Sequence, residues 1–126
     1  MRIGFRKVER MRAELKSLDS VDVDLRRNVP DDDAFCIAVT VEIGAVGGAG
    51  ADIFGFDVCS PKWLELALET DTVVSGRHKL FMSRFSYEAL EAYVVKRVHQ
   101  AEGPDWTSVA AKLSRWGHWE FEDYQE

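Results

Sequence analysis

The stretch 35–43 alternates strictly between large apolar side chains and smaller or polar ones. The apolar positions are Phe35, Ile37, Val39, Val41 and Ile43, and the positions between them are Cys36, Ala38, Thr40 and Glu42. Because successive side chains of a β-strand point to opposite faces, this period of two predicts a strand whose first set of residues faces a core. The second set is predicted to be partly covered. The chain is therefore expected to build a sheet around this strand.

The glycine-rich segment 44–50 separates this strand from a second one, predicted over 52–58. One face of the second strand holds Phe54, Phe56 and Val58. The two strands are predicted to pair as a hairpin. A phosphate-binding loop would need a Lys and a following helix, whereas this segment has no Lys and leads into a strand. We therefore interpret it as a flexible connection.

Capping residues mark the starts of two helices. Ser60 and Pro61 are typical of an N-cap and the first helical position, which predicts a helix over 61–69. Ser86 is predicted to cap a second, longer helix, and a third is expected within 103–117. The apolar stripes expected to face the core include Trp63, Leu64, Ala67 and Leu68 in the first helix, Leu90, Val94 and Val98 in the second, and Trp106, Val109, Leu113 and Trp116 in the third.

Further strands are predicted on both sides of these helices. Residues 11–16 alternate in the same way as the central strand, 77–84 follows a glycine, and the end of the chain is expected to be a short strand or an extended tail. Helices and strands do not alternate regularly along the chain. The predicted fold is therefore α+β, with a mostly antiparallel sheet and about three helices packed on one face.

The charge distribution divides the chain at Met11. Residues 1–10 carry four basic side chains against one acidic, a net of +3, whereas the whole chain carries −6. We interpret residues 1–10 as a dispensable extension and 11–126 as a single domain. The acidic body argues against nucleic acid as a partner, and the longest uncharged stretch, nine residues, is too short to span a membrane. A basic protein partner is compatible with this charge.

The two cysteines, Cys36 and Cys59, are too few for a disulfide scaffold. No secretory signal is visible in the first ten residues, so a reducing cytoplasm is the expected compartment. Both cysteines are then predicted to be small, buried hydrophobic side chains.

Residues that could support catalysis or metal binding are few. His78, His99 and His118 are far apart along the chain and no metal-binding motif occurs, so no metal site is predicted. Cys59 and Ser60 lie at a strand-to-helix junction, where a helix N-terminus lowers a thiol pKa, and His78 is a candidate base. A small enzyme using this junction is one hypothesis for function, although Ser60 is also the predicted N-cap.

Carboxylates are concentrated in a loop and at the chain end. The candidate binding residues are Asp31, Asp32 and Asp33 in the loop, and Glu120, Glu122 and Asp123 near the end, together with Trp119. A general acid needs a partly buried carboxyl group, whereas consecutive acids in a polar loop are usually solvated. These residues therefore suit a binding surface better than a catalytic cleft. Trp119 fits either the core or an interface, where Trp is a common anchor.

Four segments together resemble the immunity protein 8 family of bacterial polymorphic toxin systems. They are MRAELKSLDS at 11–20, FDVCSPKWL at 56–64, SGRHKLFMSRFSYEAL at 75–90, and EGPDWTSVAAKLSRWGHWEFEDY at 102–124. The resemblance covers about 11–126, and family members are similar from Met11 onward. It implies a small cytoplasmic α+β protein, encoded beside a toxin, that protects the producing cell by direct binding. It also implies no catalysis and no cofactor.

The favoured hypothesis is an immunity protein that binds its cognate toxin stoichiometrically and occludes the active site. If that toxin is a nuclease, its substrate cleft is expected to be basic, and the acidic loop 31–33 and the acidic chain end would mimic phosphates. Charge reversal at Asp31 to Asp33, or at Glu122 and Asp123, is then predicted to slow association. A small enzyme using Cys59 and Ser60, or a general protein-interaction domain, are the alternatives.

Overall fold

The computed structural model describes residues 10–27 and 32–122. Within these ranges the chain forms six strands and three helices. They are β1 (Met11–Asp19), β2 (Cys36–Ala45), β3 (Asp52–Cys59), α1 (Pro61–Thr70), β4 (Lys79–Phe81), α2 (Tyr87–Gln100), β5 (Glu102–Gly103), α3 (Trp106–Leu113) and β6 (His118–Trp119). This content confirms the α+β prediction.

One sheet contains all six strands, in the order β4-β3-β2-β1-β5, and β6 also pairs with β3. The predicted hairpin of β2 and β3 is confirmed, with Ile37 opposite Val58 and Val41 opposite Phe54. The β3–β4 pair is parallel and the other described pairs are antiparallel. The sheet is therefore mostly antiparallel, as predicted.

The core lies between one face of this sheet and the helices α2 and α3. The alternation in β2 and β3 is confirmed, because Phe35, Ile37, Val39, Val41, Ile43, Phe54, Phe56 and Val58 are all buried. From the helices, Leu90, Val94, Val98, Val109 and Leu113 are fully buried. Burying each such side chain contributes about 1.5–3 kcal/mol. Ser86 caps α2 by accepting a hydrogen bond from the backbone N–H of Ala89, at 3.2 Å.

Helix α1 departs from the prediction. Ser60 is its N-cap and Pro61 its first residue, as expected. All of α1 is described, yet none of its residues is buried, and Leu68 is 46% exposed. The prediction that Trp63, Leu64, Ala67 and Leu68 face the core was therefore wrong. Their spacing gives the helix an apolar side, but the helical side chains that fill the core come from α2 and α3.

The second face of the sheet is more open than predicted, and we call it the open face. Register places Asp19, Ala38, Thr40, Glu42, Ile53, Gly55 and Asp57 on it. Asp19, Ala38 and Glu42 are exposed, and Thr40 is half-buried. Cys36 also lies on this face and is exposed, so the prediction that both cysteines are buried holds only for Cys59. Cys36 is the first residue of β2, and its register partner on β3 is Cys59.

Two strands differ in extent from their predictions. β1 continues past residue 16 because a bulge between Leu15 and Ser17 shifts its register, so that Leu18 rather than Ser17 points into the core. The strand predicted over 77–84 is restricted to β4. Of the predicted extension 1–10, residues 1–9 lie outside the described residues, and Arg10 forms an ion pair with Glu102 at 3.3 Å.

The glycine-rich connection is more constrained than the prediction of a flexible segment implied. A side chain at Gly44, the last-but-one residue of β2, would overlap with the backbone carbonyl oxygen of Gly50. Gly47 has φ of 79°, which favours glycine. The Lys16 ammonium group also donates a hydrogen bond to the carbonyl oxygen of Gly48, at 2.7 Å. The connection therefore packs against itself and against β1.

Candidate functional site

The junction between β3 and α1 was one predicted catalytic site, and the structure gives Ser60 a structural role there. Its hydroxyl oxygen accepts hydrogen bonds from the backbone N–H groups of Trp63, at 3.1 Å, and Phe35, at 3.0 Å. Ser60 is completely buried. The hydroxyl thus caps α1 and joins that helix to the start of β2, which leaves it poorly placed to act as a nucleophile.

The surroundings of Cys59 raise the pKa of its thiol, whereas a reactive thiol needs surroundings that lower its pKa. Burial, followed by the hydrogen bond with Cys36, raises the pKa of the Cys59 thiol to about 12. The expectation that the helix N-terminus lowers this pKa was wrong, because desolvation dominates at a fully buried position. A thiol with such a pKa is protonated at neutral pH, whereas a catalytic cysteine acts as the thiolate.

His78, the candidate base, interacts with other groups. Its Nε2 atom lies 3.2 Å from the carbonyl oxygen of Ser114, and its ring lies 5.6 Å from that of His118. In the parallel β3–β4 pair, Cys59 lies opposite Phe81, three residues beyond His78. At about 3.3 Å per residue this separates the two along the sheet by about 10 Å. The proposed thiol and base are therefore not brought together.

The approach of His78 to His118 could not be predicted from the sequence, in which 39 residues separate the two histidines. No motif spacing signals it, because the contact depends on β4 and β6 pairing with the same edge of β3. Across residues 10–27 and 32–122, no three His, Cys, Asp or Glu side chains are grouped so that they could hold a metal ion.

The acidic loop is only partly described, because Asp31 lies outside the described residues. Asp32 and Asp33 are both exposed, and the Asp32 carboxylate accepts a hydrogen bond from the backbone N–H of Ala34, at 3.0 Å. Within the described part of the chain, neither carboxylate forms an ion pair. The two negative charges are therefore available to a partner.

Trp119 packs against the rest of the fold. Its ring stacks on that of Phe54, with the ring centroids 6.4 Å apart. Its indole N–H donates a hydrogen bond to the Asp52 carboxylate, at 2.9 Å. The same carboxylate oxygen accepts a hydrogen bond from the indole of Trp106, at 2.6 Å. Asp52 thus ties α3 and β6 to β3. These contacts give Trp119 a packing role and hold the residues that follow it beside β3.

The two acidic residues after Trp119 differ in how far their charges are compensated. Glu120 is exposed, and its carboxylate accepts a hydrogen bond from the backbone N–H of Ile53, at 3.0 Å. The Glu122 side chain is only 18% exposed and lies 2.9 Å from the Arg77 guanidinium and 3.6 Å from His118. Asp123 lies outside the described residues. Glu120 therefore presents more free charge than Glu122.

The acidic loop and the acidic chain end lie at opposite ends of β3. The loop leads into Cys36, which pairs with Cys59, whereas Trp119 pairs with Phe54. Five residues of a strand span about 17 Å, so the two groups do not form one cluster. The open face runs between them.

The open face itself carries two acidic residues that the sequence interpretation did not select. Asp19 lies opposite Thr40 and Glu42 lies opposite Ser17, so both project from neighbouring strands. Both are exposed, and neither forms an ion pair with a described residue. On the same face, a shallow depression of about 290 Å³ is lined by residues that include Thr40, Asp57, Arg77, His78 and His118, so that basic side chains border the acidic ones. Glu42 could have been found from the alternation in β2, had its second face been predicted to be open.

Comparison with known proteins gave one family. The family model described as Immunity protein 8 matches residues 13–124. Neither the curated proteins nor the solved structures gave a match. Of the helices in the described ranges, none combines the length and the hydrophobicity that a bilayer span requires.

Proposed function

Because the chain belongs to the immunity protein 8 family, we propose that it neutralises one cognate bacterial toxin by binding it directly and occluding its active site. The family match over residues 13–124 is the observation that supports this proposal most strongly. We place its action in the cytoplasm of the producing cell, where the toxin's target would be protected. Neutralisation by binding needs one immunity protein for each toxin molecule and no chemical step.

The geometry at the β3–α1 junction favours binding over catalysis. Ser60 is buried and already accepts two backbone hydrogen bonds. Cys59 is buried with a raised pKa, and His78 interacts with Ser114 and His118 instead. A nucleophile and a base must meet in space, and this junction does not provide that arrangement.

We propose that the toxin docks on the open face, where Asp19 projects from β1 and Glu42 from β2, with further contacts at both ends. Asp32 and Asp33 supply negative charge at one end, and Glu120 supplies it at the other. These carboxylates face solvent without a described ion pair, so a basic toxin surface would complement them. A nuclease, whose substrate cleft must attract phosphates, is the toxin class that fits this charge best.

The size of this surface also fits a specific interface. The eight residues of β3 extend about 26 Å, and a typical specific interface covers about 800 Å² on each partner, or a patch about 28 Å across. A single toxin surface could therefore reach both ends of the open face at once. Asp31 and Asp123 are next in the sequence to the acidic residues at these two ends. We propose that they also contact the toxin.

Trp119 and Glu122 are proposed to position other residues, because both side chains already have partners within the chain. Trp119 holds the chain end against β3, and Glu122 is engaged by Arg77 and His118. Their first role is therefore to position Glu120 beside the open face. Direct contact of either residue with the toxin remains a prediction.

A titration of toxin activity tests the function. The purified chain is added to the toxin domain encoded next to its gene, and residual toxin activity is measured against molar ratio. Occlusion predicts a linear loss of activity that ends near one molecule per toxin. An enzyme would inactivate many toxin molecules per chain and continue with time. Cys59→Ala should keep the one-to-one end point, and loss of protection by a folded Cys59→Ala variant would favour the enzyme hypothesis.

A further inference from the structure

The only two cysteines of the chain lie side by side at one end of the β2–β3 hairpin. Cys36 on β2 is the register partner of Cys59 on β3. Their sulfur atoms are 3.3 Å apart. Twenty-two residues separate them in the sequence, so the pairing follows from the hairpin register and not from a short motif.

The backbone around this pair is suited to a disulfide bond. The backbone N–H of Ser60 donates to the carbonyl oxygen of Phe35, at 2.9 Å, and the N–H of Met82 donates to the carbonyl oxygen of Cys59, at 2.9 Å. The Cys59 carbonyl group therefore points towards β4, and Cys36 and Cys59 form a non-hydrogen-bonded pair of β2 and β3. In such pairs the Cα atoms are about 4.5 Å apart, within the range that disulfides accept.

The two thiols differ sharply in access to solvent. Cys36 is exposed on the open face, whereas Cys59 is completely buried. Cys36 is therefore the more accessible of the two cysteines to a small molecule in solution, and Cys59 is reached chiefly through Cys36. This is the arrangement of an attacking thiol and a resolving thiol in exchange reactions.

We propose that Cys36 and Cys59 form a thiol–disulfide exchange site, at which a low-molecular-weight disulfide converts the pair into a cross-strand disulfide. The Cys36 thiolate attacks one sulfur of the small disulfide, forms a mixed disulfide and releases one small thiol. The Cys59 sulfur then attacks the sulfur of Cys36, which forms the intramolecular bond and releases the second small thiol. The cysteine pair loses two electrons and two protons. The two sulfur atoms of the small disulfide take up these electrons and protons as they are released as thiols.

This site goes beyond the immunity role and does not depend on it. A glutathione pool that is mainly reduced keeps both cysteines as thiols, and a rise in small disulfides drives the exchange. Because the raised pKa of Cys59 leaves only a small fraction of this thiol as the attacking thiolate, the second step is expected to be the slower one. The new bond would link the two central strands at the end of the open face beside the acidic loop.

Intact-mass analysis of the full chain, incubated with oxidised glutathione, tests the proposal. The expected product is a monomer lighter by two hydrogen atoms, with both thiols lost and the peptides containing Cys36 and Cys59 linked. An unmodified chain, a lasting glutathione adduct or a dimer linked through Cys36 would overturn it.

Two single variants assign the steps. Cys59→Ala, which removes the resolving thiol, should accumulate one glutathione on Cys36. Cys36→Ala should leave Cys59 at least about tenfold less reactive than Cys36 in the natural chain, because the remaining thiol is buried. Equal reactivity of the two single variants would contradict the assigned order of attack. Circular dichroism confirms that each variant is folded, and the mass measurement on the natural chain stands without them.

Discussion

At the scale of single residues, Asp52 joins three elements through one carboxylate group. One oxygen of its carboxylate accepts hydrogen bonds from the indoles of Trp106 and Trp119, at 2.6 and 2.9 Å. Neither residue lies near Asp52 in the sequence, and no local pattern indicates that an acid at the start of a strand will bind two tryptophans. The packing of Trp106 could be predicted from the sequence. Its hydrogen bond with Asp52 could not, because it depends on the contact between α3 and β3.

Asp52→Ala is expected to lower the free energy of unfolding by about 2–3 kcal/mol, because two half-buried indole N–H groups lose a charged acceptor. Asp52→Asn should cost less, since the amide oxygen can still accept. Urea unfolding followed by tryptophan fluorescence measures both. Asp57→Ala is the matched control, because Asp57 lies on the same strand and makes a single ion pair with Lys79, at 3.8 Å, in which the Asp57 side chain is 41% exposed, so a loss of about 1 kcal/mol is expected. Equal losses for Asp52 and Asp57 would contradict the bridging role.

At the scale of secondary-structure elements, features set by neighbouring residues were predicted correctly and features set by distant ones were not. Ser60 and Ser86 cap helices because their hydroxyl groups reach N–H groups three residues ahead, a purely local interaction. The strand alternation around Val39 is local in the same sense. The exposure of α1, in contrast, depends on the way α2 and α3 fill the core, and the bulge in β1 depends on its register with β2.

The connection between β2 and β3 provides a test at this scale. Gly44→Ala is expected to destabilise the chain by about 1–3 kcal/mol, because the added methyl group overlaps with the carbonyl oxygen of Gly50 and a backbone group cannot rotate away. Thermal unfolding measures the loss. Gly50→Ala is the matched control, since nothing lies within 4 Å of a side chain added there. If both variants unfold at the same temperature, the connection is as flexible as its composition suggests.

At the scale of the whole molecule, the acidic surface is assembled by the sheet register. The acidic loop, including Asp32 and Asp33, was visible in the sequence as a run of like charges. Asp19 and Glu42 were not selected, because they come from strands on either side of that loop and meet only through the pairing of β1 with β2. Part of the acidic charge could therefore be predicted from the sequence. The open face, on which Asp19 and Glu42 lie, could not.

Glu42→Lys is expected to reduce the rate of association with the toxin by about tenfold at low salt, because it reverses an exposed charge on the open face. Stopped-flow or surface-based kinetics at two salt concentrations measure the rate. Glu88→Lys changes the net charge equally but lies on α2, behind the covered face, and should change the rate by less than about twofold.

The double variant Asp32→Lys/Asp33→Lys should slow association as Glu42→Lys does. Equal effects of Glu42→Lys and Glu88→Lys would mean that only net charge matters and would remove the open face from the interface. Glu122→Lys is a poor probe of the interface, because it also breaks the contacts with Arg77 and His118.

The most direct test of the central claim is co-purification of the full chain with the C-terminal toxin domain encoded beside its gene, followed by calorimetric titration. A tight one-to-one complex, in which toxin activity is lost, is the predicted result. Absence of binding to that toxin domain, with both proteins folded, would contradict neutralisation by direct occlusion.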